Sequence, residues 1–140
     1  MDYNRTNIIA ALATTPGISA ISVVRISGDN LIDLYKQITR QTDIKDRYAN
    51  YCTIWSQDQK NILDKCIVIY YAGPNSYTGQ DVIEINCHGG DIVAQSILGM
   101  LYSHGVEPAL PGEFSYRAFL NDKINLIEAE AISSLIHSSS

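Results

Sequence analysis

Cysteine is scarce in this chain, and nowhere does it fall at a motif spacing. Cys52, Cys66 and Cys87 are an odd number with no CxxC pair, which fits a reducing cytoplasm better than a disulfide framework. Long apolar runs are also missing. The stretch Cys66-Ile67-Val68-Ile69-Tyr70-Tyr71 is far short of the roughly 20 residues of a spanning helix, so no membrane role is expected. The start of the chain, MDYNRTNIIAALATTPG, lacks a basic region followed by an apolar stretch and a cleavage site, so no secretion signal is evident. Basic residues number ten, are scattered, and leave a formal net charge of −5. Nucleic-acid binders draw most of their non-specific affinity from a basic stripe; if RNA is a substrate, another part of the machinery grips it.

Catalytic signatures are missing as well. No GxxxxGK[ST] occurs, and the dipeptide Gly-Lys is absent altogether, so the chain holds no phosphate-binding loop of that type. No GxGxxG leads from a strand into a helix, and no GxSxG is present, which removes the dinucleotide-fold and simple esterase readings. Neither CxxC nor HxxxH offers a metal set.

What is present suits one compact domain. The 140 residues are 46% hydrophobic and 18% charged, enough to bury a core. NIIAALA (7–13) and AISVVRI (20–26) read as strands joined by a turn at Thr15-Pro16-Gly17. SGDN (27–30) offers caps for an amphipathic helix over 30–40, with Leu31, Leu34, Tyr35 and Ile38 at helical spacing. YCTIW (51–55) and KCIVIYY (65–71) read as strands around SQDQKN, the second apolar on both faces and therefore central. A loop over 72–80, a strand over 81–86 and a helix over 91–103 follow. VEPALPGEF (106–114) reads as extended, before a short helix carrying Phe114, Ala118 and Phe119. Asn125 and Glu128 stand at capping-box spacing before a last helix. Strands and helices alternate without a strict βαβ rhythm. The expected class is α+β, a mixed β-sheet flanked by helices.

The segment EINCHGG (84–90) concentrates reactive side chains. Alternation along a strand puts Ile83, Ile85 and Cys87 on one face, and Val82, Glu84, Asn86 and His88 on the other. Cys87 and His88 therefore diverge, and Cys87 reads as a small buried hydrophobe. Glu84 stands among apolar neighbours, where an unpaired carboxylate is expensive. It is either salt-bridged or partly exposed, or else reserved for a ligand's N–H groups. Arg25 ends ISVVR on the face of Ile21 and Val23, and either clamps a carboxylate or extends to solvent. Lys123, between two helical segments, reads on its own as a surface lysine.

Four features together carry a resemblance: ATTPGISAISVVRISG, GPNSYTGQDVIEINCHGG, LPGEFSYRAFLNDKINLIEAEAISSLI, and their order. They resemble the N-terminal domain of the tRNA modification GTPase family known as MnmE or TrmE, along essentially the whole chain and least well over 40–65. The chain departs from the family in reading TTPGISA where members often have a glycine-rich TPPGRGG, and TGQD where TGED is common.

The resemblance implies an N-terminal folate-binding and dimerisation domain over 1–121, similar in fold to folate-binding domains of aminomethyltransferases. Residues 122–140 would begin a helical domain, and their helix is expected to fray without support. The implied ligand is 5-formyl-tetrahydrofolate or a related reduced folate, with Arg25, Glu84 and Lys123 at the matching positions. GTP, magnesium and potassium would belong to a GTPase domain outside this chain, and no metal is expected here. The implied activity is addition of an aminomethyl or carboxymethylaminomethyl group to carbon 5 of the tRNA wobble uridine. Implied partners are a second copy, the FAD-dependent protein MnmG/GidA, and tRNA held mainly by the full complex. Two alternatives stand beside this: a dimerisation module without folate affinity, and a folate-dependent methyltransferase domain for a small substrate.

Overall fold

In the computed structural model, residues 6–14 and 20–138 are described. The chain runs β1 (Ile9–Leu12), β2 (Ile21–Gly28), α1 (Ile32–Thr39), β3 (Asn50–Trp55), β4 (Ile62–Tyr71), β5 (Asp81–His88), α2 (Asp91–Ser103), β6 (Glu107–Pro108), α3 (Glu113–Leu120) and α4 (Leu126–Ser138). The six strands form one sheet in the order β3-β4-β5-β2-β1-β6. Every pairing is antiparallel except the short β1–β6 pair, which is parallel. The sheet is mixed and the class is α+β, as the sequence pattern implied.

Alternation builds the core on one face. Val24, Ile26, Ile54, Val68, Ile83 and Ile85 are fully buried there. Ile38 of α1 and Ile97 and Leu101 of α2 belong to the same apolar cluster and are equally buried. Complete burial of one such side chain contributes about 1.5–3 kcal/mol. The opposite face is more open, with Ile21 56% and Tyr51 59% exposed.

Boundaries shift in physically sensible ways. β5 continues through Cys87 and His88, two residues past the expected end, because Ile21 and Ser22 of β2 still pair with them. β2 likewise runs through Ser27 and Gly28 opposite Val82 and Asp81. The stretch expected to be extended over 106–114 instead holds only the two-residue β6, and α3 already begins at Glu113. The SGDN caps act in part: Leu31 is the N-cap without a side-chain bond, while Asn30 Oδ1 accepts the Ile32 N–H at 3.1 Å. β4 is an interior strand between β3 and β5, yet its burial alternates rather than being complete on both faces. The capping box before α4 forms, Asn125 Oδ1 accepting the Glu128 N–H at 2.8 Å. The turn expected at Thr15-Pro16-Gly17 lies outside the described residues.

Candidate functional site

On the open face, Ala11, Arg25, Glu84 and Ile69 fall in one row across β1, β2, β5 and β4. Directly opposed residues of paired strands have Cβ atoms about 4.5–5.5 Å apart, so the register alone brings Arg25 to Glu84. The contact is made: Arg25 Nε donates at 3.1 Å and Nη2 at 2.8 Å, both to Glu84 Oε2. The two side chains keep 29% and 20% of their surface exposed. The pair is thus mostly shielded but still reaches solvent, so a polar ligand group could approach it from the open face.

Aromatic groups surround the pair. The Arg25 guanidinium lies over the rings of Tyr77, at 5.5 Å, and Phe114, at 5.8 Å. Such contacts attract a cation through the ring quadrupole. Tyr77 comes from the loop before β5 and Phe114 from the first turn of α3, and the Tyr77 hydroxyl is 2.9 Å from Ser115 Oγ. Tyr71, on β4, adds a phenol whose proton is held more tightly than usual, first by burial and then by the nearby Glu84 charge. A planar cation, a carboxylate and three aromatic side chains thus share one end of the open face.

A buried polar network fixes these walls. Arg117 donates from Nη1 to Gln80 Oε1 at 2.8 Å and from Nη2 to Glu113 Oε2 at 3.1 Å. Ser27 Oγ donates to Gln80 Oε1, also at 2.8 Å. Asn121 Nδ2 donates to the Thr78 carbonyl at 2.8 Å, and Glu113 Oε1 accepts the Leu110 N–H at 2.9 Å. The loop carrying Tyr77 and the helix carrying Phe114 are therefore tied to β2 and to each other. At Gly79, φ is +82° and an added Cβ would lie 2.6 Å from Asn121 Cβ, so only glycine permits this approach.

The other members of EINCHGG do different work. Cys87 is fully buried, and its thiol is pushed up chiefly by burial. Cys66 stands opposite Cys52 in the β3–β4 register, and burial pushes their thiols up to about 12 and about 11. Buried thiols of this kind are inert. His88 is 70% exposed with Nδ1 2.9 Å from Asp64 Oδ1, while its backbone N–H donates to Asp64 Oδ2 at 2.9 Å. Among the described residues, no group of three or more His, Cys, Asp or Glu is placed to hold a metal ion.

Lys123 lies in the turn after α3, exposed, with its backbone N–H on the Ala118 carbonyl. Among the described residues it makes no side-chain bond to Arg25 or Glu84. The structure thus joins two of the three sequence candidates and leaves the third on the rim of α3. Tyr71, Tyr77 and Phe114 were not singled out for this role by the sequence. A tyrosine in a polar loop and a phenylalanine at a helix start carry no periodic signal pointing to Arg25.

The fold and site define an α+β domain with a partly exposed ion-pair site on the open face of its sheet. Residues 8–123 match the family described as GTP-binding protein TrmE N-terminus, and the chain belongs to that family. It is 46% identical over its whole length to the tRNA modification GTPase MnmE of Sulfurovum sp. (strain NBC37-1), covering 31% of that protein. Against the MnmE of Pseudothermotoga lettingae the identity is 50% over 94% of the chain and 29% of the relative. For Helicobacter pylori (strain J99) the figures are 48%, 91% and 27%. The chain spans about a third of the length of the relatives it matches. Among the described residues, no helix is long and apolar enough to cross a membrane.

Proposed function

We propose that this chain is the reduced-folate-binding and dimerising part of a GTPase that modifies carbon 5 of the tRNA wobble uridine. The observation that carries the folate reading is the Arg25–Glu84 pair on the open face, bordered by Tyr71, Tyr77 and Phe114. A reduced pterin presents ring N–H, amino and carbonyl groups on a flat frame, and folate adds carboxylates. A carboxylate, a guanidinium and aromatic faces match that set of groups. Arg25, Glu84 and Lys123 are the proposed binding residues for 5-formyl-tetrahydrofolate, with Lys123 reaching an anionic or carbonyl group from the α3 rim.

The bound folate would supply a one-carbon unit. The chain's own residues would orient the heterocycle and hold its polar edge. Exposed Ile21 and Tyr51 on the same face support association with a second copy. Potassium, magnesium and GTP would act in a GTPase domain outside these residues. The FAD-dependent partner MnmG/GidA and tRNA would join through the whole protein, in the cytoplasm.

One rival has an observation in its favour. Arg25 already satisfies Glu84, as it would in a purely structural dimerisation module. Family membership speaks against the small-substrate methyltransferase. Calorimetric titration of the intact protein with 5-formyl-tetrahydrofolate, beside Glu84→Ala, separates the remaining two. Saturable heat in the parent and its loss in the variant support folate binding. No heat from a folded dimeric parent supports the structural module.

A further inference from the structure

We propose that the outer edge of β3 is a docking site for an acidic, extended segment of a partner protein, which joins the sheet as a further strand. This surface is separate from the Arg25–Glu84 site and does not depend on the folate reading.

The sheet ends differently on its two sides. At one side β6 has only two residues, Glu107 and Pro108, and a proline has no N–H to extend a ladder. At the other, β3 runs from Asn50 to Trp55 and pairs only with β4. Alternate residues of such a strand turn their N–H and C=O groups away from the partner. Among the described residues, no hydrogen bond reaches the β3 backbone from that outer side. Edges are commonly blunted by proline, by a charge within the strand or by a bulge. The sequence NYCTIW has no proline and no charge, and the register shift touches only the Ile54/Trp55 step.

Cations follow this edge. Lys45 lies over the Tyr48 ring at 5.0 Å, Lys65 over Tyr51 at 5.6 Å and Arg40 over Trp55 at 3.5 Å. They stand before the start of β3, opposite Thr53 and at its end. None of the three forms an ion pair among the described residues. Nearby acids are engaged elsewhere: Asp46 accepts the Ala72 N–H, Asp58 the Lys60 N–H, and Asp64 holds His88. Asp43, which lines a small cavity with Lys45, is the nearest opposing charge. In a chain of net charge −5, cations left on aromatic rings along one strand mark a place for negative charge from outside.

That charge selects among occupants. Two copies of β3 paired about a two-fold axis run antiparallel, which brings the Lys45 end of one strand to the Arg40 end of the other. Like charges so opposed are destabilising. Single-stranded RNA suits the cations and the rings, but has no row of donors and acceptors at strand spacing. An extended peptide with acidic side chains meets the ladder, the cations and the rings together.

The intact protein is titrated by fluorescence anisotropy with labelled peptides of about eight residues, a typical strand length. One alternates valine with glutamate and one valine with lysine. A third is the glutamate peptide with methyl groups on consecutive central amides, so that neither of its edges can pair. The glutamate peptide is expected to bind saturably and to slow hydrogen exchange of the outward amides of β3. The lysine peptide should bind at least about 10-fold more weakly. Methylation removes ladder bonds and should also cost at least about 10-fold. Lys45→Glu/Lys65→Glu changes two exposed side chains and should reverse the preference between the charged peptides, with an unchanged circular dichroism spectrum.

A glutamate peptide that fails to bind, or binds no more tightly than the lysine peptide, would overturn the proposal. So would a methylated peptide as tight as its parent, an outcome that needs no variant to read. A single-stranded RNA oligonucleotide of matching length that binds more tightly than the glutamate peptide would assign the edge to nucleic acid instead. Outward β3 amides already slow to exchange in the intact protein alone would assign it to the chain's own continuation or to a second copy.

Discussion

Arg117→Met should be the most damaging single change in α3. Arg117 and Glu113 form an i,i+4 ion pair whose side chains are 1% and 4% exposed. Removing the guanidinium strands the Glu113 carboxylate in the interior and takes the Nη1 donor from Gln80 Oε1. Breaking one side of a buried ion pair costs about 3–5 kcal/mol. For a domain of this size each kcal/mol lowers Tm by roughly 3–4 °C, so thermal unfolding should move down by about 10–20 °C. The double variant Glu113→Gln/Arg117→Met removes both charges and keeps an oxygen for the Leu110 N–H, so it should recover most of that loss. Circular dichroism melts and urea titrations of the three proteins read both quantities. A loss below about 1 kcal/mol in Arg117→Met, or a double variant as unstable as the single, would refute the reasoning.

Other expectations follow from the same structure. Gly79→Ala places a Cβ 2.6 Å from Asn121 Cβ at φ +82°, and should destabilise by about 2–4 kcal/mol in urea unfolding. Gly99→Ala, in α2 with no atom within 4 Å of the new Cβ, should instead stabilise by about 0.5–1 kcal/mol. Cys52, Cys66 and Cys87 are all buried, so at pH 8 a disulfide reagent should titrate no thiol in the folded protein and three after unfolding in guanidinium. Burial holds the His104 imidazole below its ordinary 6.5. The unfolded chain therefore takes up a proton before the folded one does, and stability should fall as pH drops below about 6.5. His104→Asn should flatten that part of the stability-versus-pH profile.

Local signals located the elements well. The helix expected at about 91–103 is α2, Asp91–Ser103, because Gly90 starts it and apolar spacing carries it. Alternation placed Ile83, Ile85 and Cys87 inward, and they are fully buried. The pairing of Arg25 with Glu84 was not legible, though both were singled out. They are 59 residues apart, and they meet only because β5 inserts beside β2 instead of beside the next strand in the chain. Strand order is a property of the whole sheet, and no local period encodes it. Asp64 was missed for the same reason: it reaches His88 from the neighbouring strand. Resemblance to a family supplied a ligand where residue patterns left Glu84 open between a salt bridge and a binding role. The structure realises the salt bridge, with the Tyr71 phenol as a further hydrogen-bond partner of Glu84.

The most direct test of the central claim is a crystal structure of the intact protein grown with 5-formyl-tetrahydrofolate. The expected result is electron density for the heterocycle on the open face of the sheet, in contact with Arg25 and Glu84. Density for the ligand elsewhere, with the Arg25–Glu84 pair untouched, would contradict the account and leave that pair a structural feature of the sheet.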